Sequence, residues 1–283
     1  MKFGITLFPT AYSIRPGELA AAAEDRGFDS FWVPEHSHFP VSPMTPGRGG
    51  DGLPDMYYDV ADPFVALAMA AGATREILIG TSICLVVQRD PIQLAKQVAS
   101  LDALSDGRFL FGVGGGWNPL EMANHGTDFA KRFAIMDERI EAMKLIWTED
   151  AAEYHGEHVD FSPIYAWPKP ARKPHPPIHV AANAPKGFGR VVRQGDGWFP
   201  MLQGGDPNSV TDHIPALRQR LEKAGRDPDA VEVSVYWCPP EKSTVLRLRE
   251  GGVHRVIFMV DPVAEDDAIA QLDEHAELMA ACG

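Results

Sequence analysis

The sequence predicts a closed (β/α)8 TIM barrel on three observations. Short apolar strands alternate with amphipathic helices along the chain, eight such units can be counted, and the 283 residues lie near the ~250 of one such barrel. Buried strands alternating with helices specify a parallel sheet with right-handed crossovers. An open, doubly wound sheet with fewer strands is the competing topology. No linker divides the chain, so residues 1–283 read as a single barrel domain.

Strand one is read at residues 2–8, followed by a helix at 16–26 that Gly27 closes, and strand two at 30–34. A Gly- and Pro-rich stretch then leads to a helix at 62–73, with Pro63 at its start, and to strand three at 77–82. Asp90 as N-cap and Pro91 at the first helical position open a helix running to Leu104. After the turn at 105–108 come strand four at 109–113 and a long helix at 129–147. Residues 154–177, rich in proline and aromatics, interrupt the alternation before strand five at 178–182 and a short helix at 187–194. Strand six (197–201), a helix (209–224), strand seven (231–236), a helix (243–250), strand eight (256–260) and a closing helix (265–281) complete the pattern. Residues 40–62 and 154–177 thus read as insertions after strand two and before strand five. The first overhangs the C-terminal face, where barrel enzymes carry their chemistry.

Composition narrows the function. Hydrophobic residues make up 45% and charged residues 23% of the chain, which fits a globular rather than a disordered or membrane protein. The net charge is −13 and no basic run is long enough to follow a phosphate backbone, so nucleic acid is not an expected partner. Cys84, Cys238 and Cys282 are far apart, odd in number and without a CxxC pair, which argues against a disulfide framework and a Cys-rich zinc site. Met1 leads directly into a strand with no signal-peptide pattern, and no uncharged apolar stretch reaches the ~18 residues of a spanning helix. The expectation is a cytoplasmic protein with no membrane partner.

Several motifs bear chemistry. Gly112-Val-Gly-Gly-Gly-Trp117 is neither a P-loop, lacking the Gly-Lys-Ser/Thr, nor a Rossmann fingerprint, since Trp117 replaces the third glycine and Pro119 follows. It is either a flexible turn or a place where a flat ring approaches the backbone closely. Glu35-His-Ser-His38 lies just past strand two. Its two histidines invite a metal-hydrolase reading with Asp261, but the other strand ends offer few ligands, and no metal is expected. Alternatively Glu35 and His36 cap or pair with neighbours, or His36 moves protons near neutral pH. Asn183-Ala-Pro-Lys-Gly-Phe-Gly-Arg190 reads as an N-cap with Lys186 and Arg190 nearby and with Gly187 and Gly189 admitting an anion to the backbone. A routine capped helix is the plainer reading. A glycosidase pair of Glu121 and Glu241 is loosely spaced and leaves the glycine run unexplained. Tyr154, Phe161, Tyr165 and Trp167 are taken to pack an insertion rather than to form a lid.

Five ordered stretches resemble the bacterial luciferase-like oxidoreductase family: Phe31-Trp-Val-Pro-Glu-His36, Gly80-Thr-Ser-Ile-Cys84, residues 94–102, residues 107–119, and Pro177-Ile-His-Val-Ala-Ala-Asn183 leading to Gly195-Asp-Gly-Trp-Phe-Pro200. Tyr57-Tyr58 and Asp62-Pro63 look most like the branch that uses the deazaflavin coenzyme F420. The resemblance implies a hydride-transferring oxidoreductase acting on a small-molecule substrate, with an FMN monooxygenase as the second possibility within the family. It implies a ring resting on Ser82 and Ile83, joined by a cis peptide, and bordered by Gly115, Trp117 and Asn118. The carrier's phosphate would lie near Asn183, Lys186, Gly187 and Gly189, and His36 with Glu35 would be the catalytic pair. Sugar-phosphate dehydrogenases of the family carry a glutamate where this chain has Trp117, which argues against glucose 6-phosphate. Relatives are often dimers, so a homodimer is expected.

Overall fold

Eight short parallel strands close into a barrel in the computed structural model, which describes residues 1–42 and 52–283. In chain order the elements are β1 (Lys2–Leu7), α1 (Pro16–Asp25), β2 (Ser30–Val33), α2 (Met56–Asp59), α3 (Pro63–Ala73), β3 (Leu78–Thr81), α4 (Pro91–Leu104) and β4 (Phe109–Val113). There follow α5 (Pro119–Asn124), α6 (Arg132–Thr148), β5 (Ala151–His155), β6 (Asp160–Tyr165), β7 (Ile178–Val180), α7 (Phe188–Gln194) and β8 (Gly197–Trp198). The chain ends with α8 (Asn208–Thr211), α9 (Ile214–Lys223), β9 (Glu232–Val235), α10 (Lys242–Glu250), β10 (Arg255–Val260) and α11 (Glu265–Cys282). The barrel order is β1-β10-β9-β8-β7-β4-β3-β2, and β1 closes it by pairing in parallel with both β10 and β2. The closed barrel, not the open sheet, is therefore the topology.

Local signals started the helices as read. Asp62 accepts hydrogen bonds from the Phe64 and Val65 amides and Asp90 from Gln93, each with proline at the next position. Three expectations need correction. The helix read at 209–224 is two, because Pro215 suits only the first turn of a helix and α9 starts just before it. Residues 151–165 form an antiparallel hairpin, β5–β6, set apart from the barrel sheet. Pro163 inside β6 disguised it, since proline is tolerated only where a ladder donor is not needed, as on an exposed ribbon. The six-residue α5, capped by Asn118, was also missed, being too short to show a period. Of the first insertion, residues 43–51 lie outside the described residues.

The barrel interior is filled by Trp32, Leu110, Phe199, Tyr236 and Ile257. Trp32 lies across β3 so closely that a Cβ at Gly80 would stand 2.4 Å from its ring. A larger apolar cluster fills the space between strands and helices, including Phe31, Phe111, Trp147 and Phe258. Each such ring contributes about 1.5–3 kcal/mol on burial. Among the described residues, no helix is long and apolar enough to cross a membrane. All three cysteines are buried free thiols.

Candidate active site

The C-terminal ends of β2, β3, β4 and β9 surround a recess of about 160 Å³ lined by His36, Tyr57, Ile83, Trp117, Met201 and Trp237, among others. It lies on the face that the barrel architecture assigns to chemistry.

His36 is held from outside the recess. Its Nδ1 lies 3.0 Å from Glu121 Oε2, and the other carboxylate oxygen accepts the Ser37 amide at 2.8 Å. Glu121 is 1% exposed. Burial works to raise its pKa, but the hydrogen bond and charge of His36 and the Ser37 amide prevail and leave it lowered. An ionised carboxylate can only accept, so the Nδ1 of His36 carries the proton and its Nε2 is the exchangeable position. Phe39, Trp117 and Tyr57 surround the imidazole at 4.7, 5.6 and 5.9 Å between ring centres.

Glu35 has a different environment. The Arg89 Nε lies 2.6 Å from one oxygen and the Leu85 amide donates to the other at 2.7 Å, while Arg89 also reaches Asp62 at 2.7 Å. With both oxygens occupied, Glu35 ties the end of β2 to the segment after β3 and is poorly placed to transfer a proton. The residue expected to be catalytic together with His36 thus has its carboxylate engaged by Arg89 and the Leu85 amide.

The Ser82–Ile83 peptide is cis, as the resemblance implies, and Ser82 Oγ lies 3.3 Å from Thr6 Oγ1. The glycine run beside it is explained by the chain itself. A Cβ at Gly112 would meet the Thr81 carbonyl at 1.9 Å, at Gly114 the Ile83 side chain at 2.6 Å, and at Gly115 the Phe133 ring at 2.7 Å. Gly116 has φ +68°, the left-handed region. These glycines are thus required by neighbouring residues of the chain, and the recess beside them is lined by Ser82, Ile83, Gly116 and Trp117. Asn118 caps α5 through its Oδ1, which accepts the Leu120 and Glu121 amides, while its buried Nδ2 has no partner. Trp117 is half-exposed at the rim.

Asn183 is not the cap of the following helix. Pro185 interposes a turn, α7 begins only after Gly187 without a side-chain cap, and Asn183 instead accepts the Gly187 amide with its carbonyl at 2.7 Å. A Cβ at Gly187 would lie 2.6 Å from that of Ala182, so this glycine answers packing, whereas Gly189 has only Arg193 Nη1 at 3.5 Å. Lys186 is exposed. Arg132, which the sequence did not announce, joins Arg190 nearby. The Arg190 and Arg132 guanidiniums sit 3.8 and 4.2 Å from the centre of the Phe133 ring, and each has a buried Nε without a partner.

Neither a metal centre nor a glycosidase pair takes shape. Among the described residues no three His, Cys, Asp or Glu side chains are arranged to hold a metal ion. His38 bonds to Ser37 and Asn124. Glu121 is committed to His36, and Glu241 to Thr244 at 3.3 Å, so the two acids do not face a common substrate position. Tyr165 and Trp167 are exposed, while Phe161 packs against the core.

Sequence reasoning missed Phe8, Met201, Tyr236 and Trp237 as lining residues, and missed Glu121 as the partner of His36. The signal for Glu121 was present: Asn118-Pro119 followed by an acid three residues after the cap is a helix-start pattern that points the acid back at the loop. Nothing local marks Tyr236. Burial raises its pKa to about 12, and although its hydroxyl lies beside Thr6 and Ser82, it has no hydrogen-bond partner.

Residues 3–239 match the sequence profile of the luciferase-like monooxygenase family. An uncharacterized protein of Mycobacterium tuberculosis (strain ATCC 25618 / H37Rv) is 38% identical over 288 residues, covering 100% of both chains. An F420-dependent glucose-6-phosphate dehydrogenase of Kineococcus radiotolerans is 30% identical over 234 residues, 80% of this chain and 64% of its own. Among solved structures, a monooxygenase from Streptomyces bottropensis superposes with a TM-score of 0.82 at 22% identity over 99% of each chain. An F420-dependent secondary alcohol dehydrogenase in complex with an F420–acetone adduct superposes with a TM-score of 0.78 at 19% identity over 100% of each. At those identities the likeness is one of fold.

Proposed function

This chain belongs to the luciferase-like monooxygenase family, and we propose that within it the protein is an F420-dependent oxidoreductase acting on a small organic molecule. The observation that carries this reading is His36 fixed by the buried Glu121 on an aromatic recess at the barrel mouth. The residues present fit a flat heteroaromatic carrier with an anionic tail. Ile83, Leu85 and Trp117 give apolar walls, and the unpartnered Tyr236 hydroxyl that lines the recess offers a donor to a polar ring edge. Arg132 and Arg190, the latter with Lys186 and Gly189 near it in the chain, supply positive charge for the tail. A bound deazaflavin would supply hydride chemistry without oxygen activation. His36 would hold or move a proton at its Nε2, and Glu121 would keep the imidazole in the required tautomer. Glu35 and Arg89 hold the floor of the site in place. Tyr57 and Tyr236, both with pKa values raised by burial, stay protonated and keep a hydroxyl hydrogen to donate.

Sequence identity to an F420-dependent dehydrogenase across most of the chain favours the deazaflavin over FMN. Fluorescence titration of the purified protein with both carriers tests this. The expected result is micromolar or tighter binding of F420 and weaker binding of FMN. The reverse order moves the protein to the monooxygenase side of the family, and binding of neither overturns the reading.

A further inference from the structure

A second recess, of about 420 Å³, adjoins the first and is lined by Met201, Leu202, Trp237, Cys238, Pro240 and Met259 among others. Met201 and Trp237 line both, so the two form one groove running from His36 toward the ends of β9 and β10. Trp237 is the hinge of this arrangement. Its φ of +53° is a conformation that bulky residues rarely adopt. Neighbouring hydrogen bonds hold it: the Tyr236 amide donates to the Pro200 carbonyl at 2.9 Å and the Cys238 amide to the Ile257 carbonyl at 2.8 Å. The indole then packs between Phe8 and Tyr236, at 6.1 and 6.2 Å between ring centres.

The second recess is uncharged: no Lys, Arg, His, Asp or Glu is among the described residues that line it. Burial raises its Cys238 thiol to about 12, so it carries no charge near neutrality. A phosphate or carboxylate placed here would lose water and gain no cation, a cost that no apolar contact offsets.

We infer that the second recess selects an uncharged, predominantly apolar organic substrate, held against Met201, Trp237 and Pro240 with its reacting end turned toward the first recess, and that it excludes phosphorylated and carboxylated compounds. The orientation relative to His36 rests on the proposed function; the charge preference rests on the groove alone and is measurable without any carrier.

Tryptophan fluorescence of the carrier-free protein, titrated with cyclohexanone, cyclohexanecarboxylate and glucose 6-phosphate, provides the test. Cyclohexanone should bind saturably and at least about tenfold more tightly than either anion. Met201→Lys, at a half-exposed wall position, should leave the melting temperature unchanged, weaken cyclohexanone and strengthen cyclohexanecarboxylate. An anion that binds the native protein as well as the ketone overturns the inference. So do absence of ketone binding and an unchanged ranking in a folded Met201→Lys variant. A protein that ranks the ligands as expected but binds neither F420 nor FMN would keep this inference and sink the proposed function. One that binds F420 yet prefers the anions would do the opposite.

Discussion

At the floor of the barrel Arg255 is 1% exposed and answers two acids at once: its Nη2 lies 2.8 Å from Asp29 Oδ2, its Nη1 meets Glu232, and Lys2 reaches the other oxygen of Glu232 at 2.7 Å. At the mouth the barrel ends in buried groups with nothing to bind: the Tyr236 hydroxyl and the Asn118 Nδ2, with the Arg132 and Arg190 Nε atoms close by. The floor closes the chain on itself, and the mouth leaves bonding capacity over. Orphaned polar atoms alone do not mark a site, however. Trp32 Nε1 and His179 Nδ1 are unpartnered too, deep in the barrel, and burial lowers the His179 pKa to about 4, so it stays neutral. What distinguishes the mouth is that one of its unsatisfied groups, the Tyr236 hydroxyl, lines a recess a ligand can enter.

The largest effect that breaks this contrast should come from the mouth. His36→Ala is expected to lower turnover by about 10²–10⁴ while carrier affinity and melting temperature change little. Binding, turnover and melting on this one variant separate the roles. Lost affinity with full turnover at saturating carrier would make His36 a ring-holding residue, and a lower melting temperature with parallel losses would make it structural.

The floor should respond in stability instead. Arg255→Met leaves Asp29 without its cation and Glu232 with Lys2 alone, and should cost about 2–4 kcal/mol in chemical denaturation, less than for a fully buried pair because both acids keep some contact with water. Carrier affinity of the folded protein should be unchanged. The variant should also alter the pH profile. Burial alone would raise the pKa of Glu232, but Arg255 and Lys2 hold it at about 2 against an ordinary 4.5. Glu232 therefore contributes stability that is full above about pH 4.5 and is lost as the pH falls through about 2. Arg255→Met should flatten that acid slope, and a slope like the native one would show that the floor pairing is not its source.

The smallest effect sharpens the placement of the anionic tail. Gly187 is unsuitable for this, since a side chain there strikes Ala182. Gly189 lies within α7 with room for a methyl group, so Gly189→Ala should stabilise the protein by up to about 1 kcal/mol. If the tail approaches this backbone, F420 affinity should fall a few-fold despite the gain in stability. Unchanged affinity would remove Gly189 from the site.

The sequence by itself determined the barrel, the helix starts at Asp62 and Asp90, and the place of His36 beyond the second strand, because these follow from periodicity and capping over a few residues. Family-specific order, carried by five separated stretches, also made the cis bond at Ser82–Ile83 legible. Only the tertiary structure decided that Glu121, 85 residues away, holds His36, that Arg89 pairs with Glu35, and that Gly112, Gly114 and Gly115 make room for Thr81, Ile83 and Phe133. It alone brought Phe8, Met201 and Trp237 to one groove. A closed barrel places the ends of sequence-distant strands side by side, so what a residue there touches is set by the order of closure and not by its neighbours in the chain.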